Sequence, residues 1–270
     1  VVLGFTAILL AGAFFLVRIN PACRQNLAVH HAQYQELAEA LSEGKVSVGD
    51  AEKALLAVKN PYDTIALQAA GIGYRADYAY HDGKYYVYFG IVPVLLLYLP
   101  YYLLTGGALQ NYVAVFVFFA GFIIAAAGFV YELMKRYFKE QPFYLWAVGT
   151  GMLVGSYSMF YLLIRPDLYH VPIVASAMFA TGGLWLYLAG LNRPKKAVGL
   201  YAFGSFCMAF TAGCRPQFIL FAALAVVLFW ERVFVKRELF SKKGWRQTAA
   251  LVVPYVLIAA GLMAFNALRF

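Results

Sequence analysis

The sequence predicts an all-α protein that crosses a membrane several times. Hydrophobic residues make up 63% of the 270 residues and charged residues only 13%, and the mean hydropathy is +0.68. These proportions lie far outside the range of soluble globular domains. The apolar runs are continuous rather than alternating, which indicates helices and not a β-barrel. The predicted fold is therefore a polytopic transmembrane helix bundle.

Crossing about 30 Å of hydrocarbon takes about 20 helical residues. Seven apolar segments approach or reach that length, namely residues 1–17, 111–131, 143–163, 168–190, 197–213, 216–230 and 248–268. The chain thus divides into a first transmembrane helix (1–17), a polar loop region (18–110) and a helix bundle (111–270).

The two termini predict that the chain is a fragment of a longer protein. Val1 lies within an apolar run without an initiator Met, and Phe270 directly follows Arg269 with no tail. We interpret the first segment as a retained anchor rather than a signal peptide, because Arg18 follows it and a small-residue cleavage site does not.

The loops predict the orientation of the bundle. Lys and Arg are concentrated in the connections 132–142, 192–196 and 231–247. Because positively charged loops stay on the cytoplasmic side, these three connections are predicted to be cytoplasmic. They also account for much of the net charge of +9, so that charge does not indicate nucleic-acid binding.

The location of the polar loop region depends on residues 87–104, which are uncharged and almost long enough to span. If this segment crosses, the polar region lies in the cytoplasm beside the basic loops. Pro93 and Pro100 are expected to interrupt its helix, and three tyrosines suit a membrane interface. We therefore predict that it does not cross and that the polar region is extracytoplasmic.

Two amphipathic helices are predicted in the polar region. The first has one stripe at helical spacing, ends at Gly44 and leaves Glu36, Glu39 and Glu43 off the stripe. The stripe comprises Leu27, His30, His31, Tyr34, Leu37, Ala38 and Leu41. The second runs over 50–59 and ends at Asn60-Pro61. Such helices suit a juxtamembrane cap on the bilayer surface; a solvated hairpin without a chemical role is the alternative.

Four short motifs carry a resemblance to a known family. They are NPYD at 60–63 with Arg75 and Asp77, DGKYYVYFG at 82–90 with Pro93, RPD at 165–167, and RP at 215–216. With these motifs the chain resembles the GT-C superfamily of polyprenyl-phosphate-dependent glycosyltransferases, in particular the bacterial relatives of protein O-mannosyltransferases and aminoarabinose transferases. One feature departs from the family: residues 18–35 contain no carboxylate, whereas the family has an Asp soon after its first helix.

The resemblance implies transfer of a sugar from a polyprenyl-phosphate donor to an extracytoplasmic glycan, lipid or protein, with inversion at the anomeric carbon. It also implies a bacterial cytoplasmic membrane as the location. Such a transfer needs a carboxylate that accepts the proton of the acceptor hydroxyl, and cationic donors that stabilise the departing phosphate. The candidate bases are Asp77, Asp63 and Asp82, of which Asp77 is preferred because no turn rule requires it.

The candidate ligands of the phosphate and sugar are Arg75, Lys84, Arg165, Asp167, Arg215, Tyr85 and Tyr88. Each candidate also has a purely structural explanation. Asp63 can cap a helical turn, Asp82-Gly83 is a common turn dipeptide, and Arg75 can pair with Asp77. Arg165 and Asp167 can anchor a helix end, and tyrosines are typical of the membrane interface.

No metal site is predicted, although the sequence leaves a helper divalent cation open. Adjacent His30 and His31 point to different helix faces, and His81 with Asp82 lacks a second ligand pair. Cys23, Cys207 and Cys214 form no disulfide framework.

Two other functions stay open, a lipid-carrier flippase or transporter and a noncatalytic membrane scaffold. The charges lie at or beyond the ends of every predicted helix, which argues against ion-coupled transport but not against a flippase with an amphipathic groove.

Overall fold

A computed structural model describes residues 2–20, 32–156, 158–242 and 244–270. Its α-helices are α1 (Val2–Ile19), α2 (Gln33–Ser42), α3 (Lys53–Leu56), α4 (Thr64–Ala69), α5 (Leu99–Thr105), α6 (Asn111–Tyr137), α7 (Tyr144–Gly155), α8 (Met159–Ile164), α9 (His170–Asn192), α10 (Ala197–Cys214), α11 (Ala222–Trp230) and α12 (Trp245–Ala267). Two short strands, β1 (Ala79–His81) and β2 (Lys84–Tyr86), form an antiparallel hairpin.

Six helical segments are long and apolar enough to cross a membrane, which confirms the all-α polytopic class. They are Val2–Ile19, Asn111–Tyr137, His170–Asn192, Pro194–Cys214, Pro216–Val235 and Trp245–Ala267. The helix predicted over 111–131 continues to Tyr137. Its last turn carries Lys135 and Arg136, and cations there interact favourably with the C-terminal end of the helix dipole.

The segment predicted over 143–163 is divided into α7 and α8, and neither helix alone is long enough to span. Ser156, which follows α7, is extended, and Ser158, which precedes α8, has a left-handed backbone with φ of 53°, so α7 does not continue into α8. Near the start of α7, the Trp146 indole donates to the Ala127 carbonyl of α6 at 3.0 Å. At the end of α8, the Asn20 amide donates to the Ile164 carbonyl at 2.6 Å. The Phe5 ring of α1 meets the Trp146 ring with centroids 5.6 Å apart, so the pair extends along the bundle from the start of α1 to its end.

The centre of the bundle is formed by α6, α9 and α10, whose backbones approach closely at small residues. A Cβ on Gly183 of α9 would lie 2.9 Å from the Gly204 carbonyl oxygen of α10, and one on Gly204 would lie 2.8 Å from the Tyr187 ring. Glycine at these two positions permits the close approach of α9 and α10, as is common in membrane helix pairs.

The bundle has two chemically different ends. At the polar end, residues 32–110 (the polar segment) pack on the start of α6 and on the ends of α10 and α12. Gln35 donates to the side-chain oxygen of Asn111, the first residue of α6, at 3.1 Å, and Arg269 donates to the Val87 carbonyl at 2.6 Å. The three basic connections lie at the opposite end, where Arg232 donates to Gln247 at 2.7 Å. We call this the basic end.

The first amphipathic helix of the polar segment is present as α2. Tyr34, Leu37 and Ala38 of its predicted stripe are at most 1% exposed. It stops at Gly44, which has φ of 74°, and the Lys45 N–H donates to the Ala40 carbonyl at 2.8 Å as in a Schellman cap. Leu27, His30 and His31 of the stripe lie outside the described residues. The helix predicted over 50–59 is reduced to α3, Lys53–Leu56.

The predicted segment 87–104 is helical only in its second part, which consists of a π-helical turn (Val94–Tyr98) followed by α5. Together these are about 18 Å long, too short to cross about 30 Å of hydrocarbon. The helix packs against α2, with the Tyr98 and Tyr34 ring centroids 5.3 Å apart. Pro100 does not interrupt it, contrary to expectation, since the wider π-helical turn immediately precedes this residue.

Candidate functional site

Asp77 lies in the loop before β1, at the polar end of the bundle. Its backbone is left-handed, with φ of 62°, a conformation that Asp tolerates better than most residues. The hydroxyl of Tyr169 donates to the Asp77 carboxylate at 2.5 Å. Because Tyr169 immediately precedes α9, this hydrogen bond joins the polar segment to the bundle. Partial burial, reinforced by the bond to Asp77, raises the pKa of Tyr169 above its ordinary value, so its hydroxyl stays a donor at neutral pH.

Tyr88 is the second tyrosine at this carboxylate. Its hydroxyl lies close enough to Asp77 for the charge of that carboxylate to act on it. Partial burial and the negative charge of Asp77 raise the pKa of Tyr88, while the positive charge of Arg215 opposes the shift. Both charges therefore act on the same hydroxyl. The Phe89 ring stacks on Tyr88 at 4.3 Å and meets Tyr169 edge-on at 5.3 Å, which restricts both tyrosines.

Arg215 is the cation of this cluster, which we call the Asp77 site (Asp77, Tyr88, Tyr169 and Arg215). It follows the last residue of α10 with an extended backbone, and its side chain is half-buried. Within the part of the chain that the structure describes, the Arg215 guanidinium makes no side-chain hydrogen bond or ion pair. A partly buried cation without a counter-ion carries an unrecovered desolvation cost, which an anionic ligand can offset.

Tyr34 of α2 lies behind this cation. Burial raises the pKa of Tyr34 well above its ordinary value, and the positive charge of Arg215 acts in the opposite direction. Its hydroxyl is buried and accepts or donates no hydrogen bond among the described residues. The Tyr34 hydroxyl is thus one more hydrogen-bond donor near Arg215 that has no partner within the described chain.

Gly90 fixes the position of Tyr88 relative to Arg215. A Cβ on Gly90 would overlap the carbonyl oxygens of Gly213 and Cys214, the two residues before Arg215. Only glycine allows this approach, which seats the chain from Tyr88 to Gly90 against the end of α10.

The RPD motif lies beside the site. Asp167 accepts a hydrogen bond from the Leu168 N–H at 2.6 Å, and its backbone carbonyl accepts from the His170 N–H at 3.0 Å. The carboxylate of Asp167 also contributes to the raised pKa of Tyr169, so it lies near the Tyr169 hydroxyl. The Arg165 side chain is exposed at the same end, with its guanidinium carbon 5.7 Å from the centroid of the Tyr161 ring.

Arg75 is not joined to Asp77, although only one residue separates them. Its guanidinium pairs with Glu36 of α2 and also donates to the Tyr78 hydroxyl at 2.8 Å and to the Val48 carbonyl at 3.0 Å. The Tyr78 hydroxyl in turn donates to Glu36 at 2.7 Å. This group of three side chains joins α2 to the loop that carries Asp77 and holds that loop in place.

The remaining candidates from the sequence occupy structural positions away from the Asp77 site. Asp63 caps α4 by accepting from the Ala66 N–H at 3.1 Å. Asp82 and Gly83 form the hairpin turn with φ of 45° and 76°. Lys84 pairs with His81 across the hairpin, and Tyr85 is only 5% exposed within an apolar cluster.

Sequence reasoning missed Tyr169 as a partner of Asp77. The available signal was its position, since it follows the RPD motif immediately before an apolar helix. It also missed Glu36 as the partner of Arg75, a pairing across 39 positions that no local pattern encodes.

In the described ranges, no three His, Cys, Asp or Glu side chains converge as a metal site. His30 and His31 lie outside those ranges. No family model, no curated protein and no solved structure matches the chain.

Proposed function

We propose that the protein is a membrane glycosyltransferase of the GT-C type, which moves a sugar from a polyprenyl-phosphate donor to an extracytoplasmic acceptor. One observation carries this proposal. A carboxylate held by Tyr169, Asp77, lies in one cluster with Tyr88 and with a half-buried guanidinium, Arg215, that has no anionic partner among the described residues. A base next to an unoccupied cation is the arrangement that transfer from a sugar phosphate requires.

The proposed reaction is a single displacement. The acceptor oxygen attacks the anomeric carbon as its proton passes to the Asp77 carboxylate. The bond between that carbon and the phosphate oxygen breaks, and polyprenyl phosphate leaves with the bonding electrons. Arg215 stabilises the negative charge on the departing phosphate. Because the acceptor enters opposite the leaving group, the anomeric configuration inverts.

The direction of the helices supports a site on the extracytoplasmic face. In this proposal α7 and α8 together form a seventh, broken crossing, so successive spans alternate between the two ends. All three basic connections then share one side, which is cytoplasmic by the positive-inside rule. The polar segment with Asp77 lies at the other end and forms the extracytoplasmic cap.

The test of the reaction compares Asp77→Asn with Asp82→Asn in membranes that contain the protein. Polyprenyl-phosphate hexoses and pentoses serve as donors, and the measured product is free polyprenyl phosphate, which does not depend on the acceptor's identity. We expect Asp77→Asn to lower product formation by about 10²–10⁴-fold, the usual contribution of a positioned base.

Asp82→Asn is the matched control, because it removes a carboxylate of the same segment whose side chain is 89% exposed in a turn. It should retain full transfer, and both variants should purify folded in detergent. Undiminished transfer in Asp77→Asn eliminates this residue as the base.

The test of orientation places single cysteines at the two ends, in a protein whose three native cysteines are replaced by Ala. Ala69→Cys lies exposed in the polar segment and Lys195→Cys lies exposed at the basic end. A membrane-impermeant thiol reagent should label the first in intact cells and the second only after permeabilisation. The reverse pattern excludes an extracytoplasmic site and leaves the flippase or scaffold as the better explanation.

A further inference from the structure

We propose that the basic end holds a binding site for one anionic phospholipid. A surface cavity of about 650 Å³ lies there between the end of α6 and the end of α9. It is lined by Lys135, Arg136, Tyr137, Lys139 and Asn192, which supply three cations and no carboxylate. We call it the basic cavity.

The nearby carboxylates do not neutralise these cations. Glu132, one turn before Arg136, is buried and already bound by Arg193 at 2.5 Å and by Asn192 at 2.8 Å. Glu231 is paired with Lys236 at 2.8 Å. Glu140 follows Lys139 in sequence but does not line the cavity. The positive charge of the basic cavity is therefore left for a ligand.

Arg136 also has unused hydrogen-bonding capacity. Its guanidinium reaches the Leu191 carbonyl and the Asn192 side chain only at 3.4 Å each, the long limit of a hydrogen bond. Its Nε is buried without a partner among the described residues. A phosphate oxygen accepts hydrogen bonds from a guanidinium with better geometry than either of these contacts.

A second cavity distinguishes a lipid from a soluble anion. It has a volume of about 230 Å³ and shares Lys135 and Lys139 with the basic cavity. Its other lining residues include Tyr131, Met134, Phe138, Phe143 and Trp146. A free phosphate would use only the cations, whereas a phospholipid has a phosphate for the basic cavity and acyl chains for this apolar groove. Basic pockets between transmembrane helices on the cytoplasmic side bind anionic headgroups in this way.

The experiment measures binding of phosphatidylglycerol to the purified protein in neutral detergent by native mass spectrometry. Phosphatidylcholine and the soluble headgroup glycerol 3-phosphate are the comparison ligands. The test variant is Lys135→Gln with Lys139→Gln, and the matched control is Lys195→Gln with Lys196→Gln. All four lysines are exposed at the basic end, so folding is not at risk and the charge removed is equal.

We expect one phosphatidylglycerol to bind in preference to phosphatidylcholine, and the test variant to bind it about thirtyfold more weakly, at about fivefold for each lysine. The control should change by less than threefold. Equal losses in the two variants indicate general charge attraction and overturn the proposal. Displacement of the lipid by equimolar glycerol 3-phosphate also overturns it, because the site then belongs to a soluble anion.

Phe138→Ser tests the apolar groove separately, since this side chain is 51% exposed and not part of the core. It should weaken phosphatidylglycerol binding severalfold and leave the selectivity against phosphatidylcholine intact. Unchanged affinity for phosphatidylglycerol means that the apolar groove does not bind the acyl chains and is not part of the site. None of these outcomes depends on the glycosyltransferase proposal, because the Asp77 site lies at the opposite end.

Discussion

Two arginines at opposite ends of the bundle, Arg193 and Arg215, differ in whether a carboxylate neutralises them. At the basic end, Arg193 pairs with Glu132 at 2.5 Å, and Arg232 pairs with Glu238 at 2.8 Å and with the Gln247 amide oxygen. At the polar end, Arg215 has no such partner within the described ranges, and Asp77 is bound by the Tyr169 hydroxyl rather than by a cation. Satisfied pairs serve the fold, whereas charges kept apart and unsatisfied indicate a place for a ligand.

The largest expected effect is that of Arg215→Ala on function. Removing one preorganised donor to a developing negative charge costs about 10²–10³-fold in rate. We expect a loss of that size in transfer, together with weaker binding of polyprenyl phosphate measured on the purified protein. Thermal stability in detergent should not fall, because no hydrogen bond or ion pair of the described chain is lost.

Arg215→Lys should restore part of the binding of polyprenyl phosphate, because lysine keeps the positive charge but cannot make a bidentate contact with the phosphate. If Arg215→Ala lowers thermal stability as much as Arg193→Ala does, the distinction between a paired and an unpaired arginine is wrong.

The next largest effect is expected on stability at the basic end. The Glu132 side chain is 3% exposed and that of Arg193 is 39% exposed. Arg193→Ala leaves a buried carboxylate without its cation. We expect the free energy of unfolding to fall by about 2–3 kcal/mol, less than for a fully buried pair. Glu132→Gln should cost less, because Arg193 can reach water. The midpoints of thermal unfolding give this order directly, and the opposite order contradicts the interpretation of Glu132 as the trapped charge.

Features set by local sequence were predictable, whereas features set by backbone torsions or distant contacts were not. The spans were predictable because their length is set by the bilayer and not by their neighbours, and the stripe of Tyr34, Leu37 and Ala38 was predictable because helical spacing is local. The break between α7 and α8 was missed although Gly155, Ser156 and Ser158 interrupt the apolar run, because mean hydropathy over a long window hides so short an interruption and does not respond to backbone torsions.

The partners of the site residues were the least predictable part. Asp77 was preferred because no turn rule required it, but its backbone is left-handed within a turn, and its bond to Tyr169 spans 92 positions. Arg75 was a candidate for the phosphate, with an ion pair to Asp77 as the alternative, whereas its partner is Glu36 of α2. Sequence proximity identifies residues of the right chemistry, and only the packing of distant elements decides which of them meet.

A smaller functional effect is expected from Tyr169→Phe. The change removes a hydrogen bond to the Asp77 carboxylate but leaves the ring and its contact with Phe89 at 5.3 Å in place. A hydrogen bond to a charged group is worth about 1.5–3 kcal/mol, so we expect transfer to fall by at least about tenfold.

Tyr169 is a positioning residue in this interpretation, and its effect should depend on Asp77. Once Asp77→Asn has been introduced, adding Tyr169→Phe should lower the residual transfer by less than twofold. Full additivity of the two losses shows that Tyr169 acts elsewhere.

The smallest effect separates Arg75 from Arg215 within the polar end itself. The side chains of Arg75 and Glu36 are 34% and 32% exposed, so their pair is partly screened by water and Arg75→Gln should lower stability by only about 1 kcal/mol. The affinity for polyprenyl phosphate should stay unchanged, because the Arg75 guanidinium is already occupied by Glu36, Tyr78 and the Val48 carbonyl. A loss of affinity without a loss of stability would restore Arg75 as a phosphate ligand.

The same group of side chains has an expected pH dependence. Burial and the hydrogen bond to Glu36 raise the pKa of Tyr78 above its ordinary value of about 10. A group whose pKa is raised by folding contributes its stability below its unfolded pKa and loses it as the pH rises through the folded one. The contribution of Tyr78 should thus persist to about pH 10 and decline above it, and Tyr78→Phe should abolish this part of the alkaline loss of stability. An identical alkaline profile in the variant means that the hydroxyl of Tyr78 does not stabilise the loop that carries Asp77.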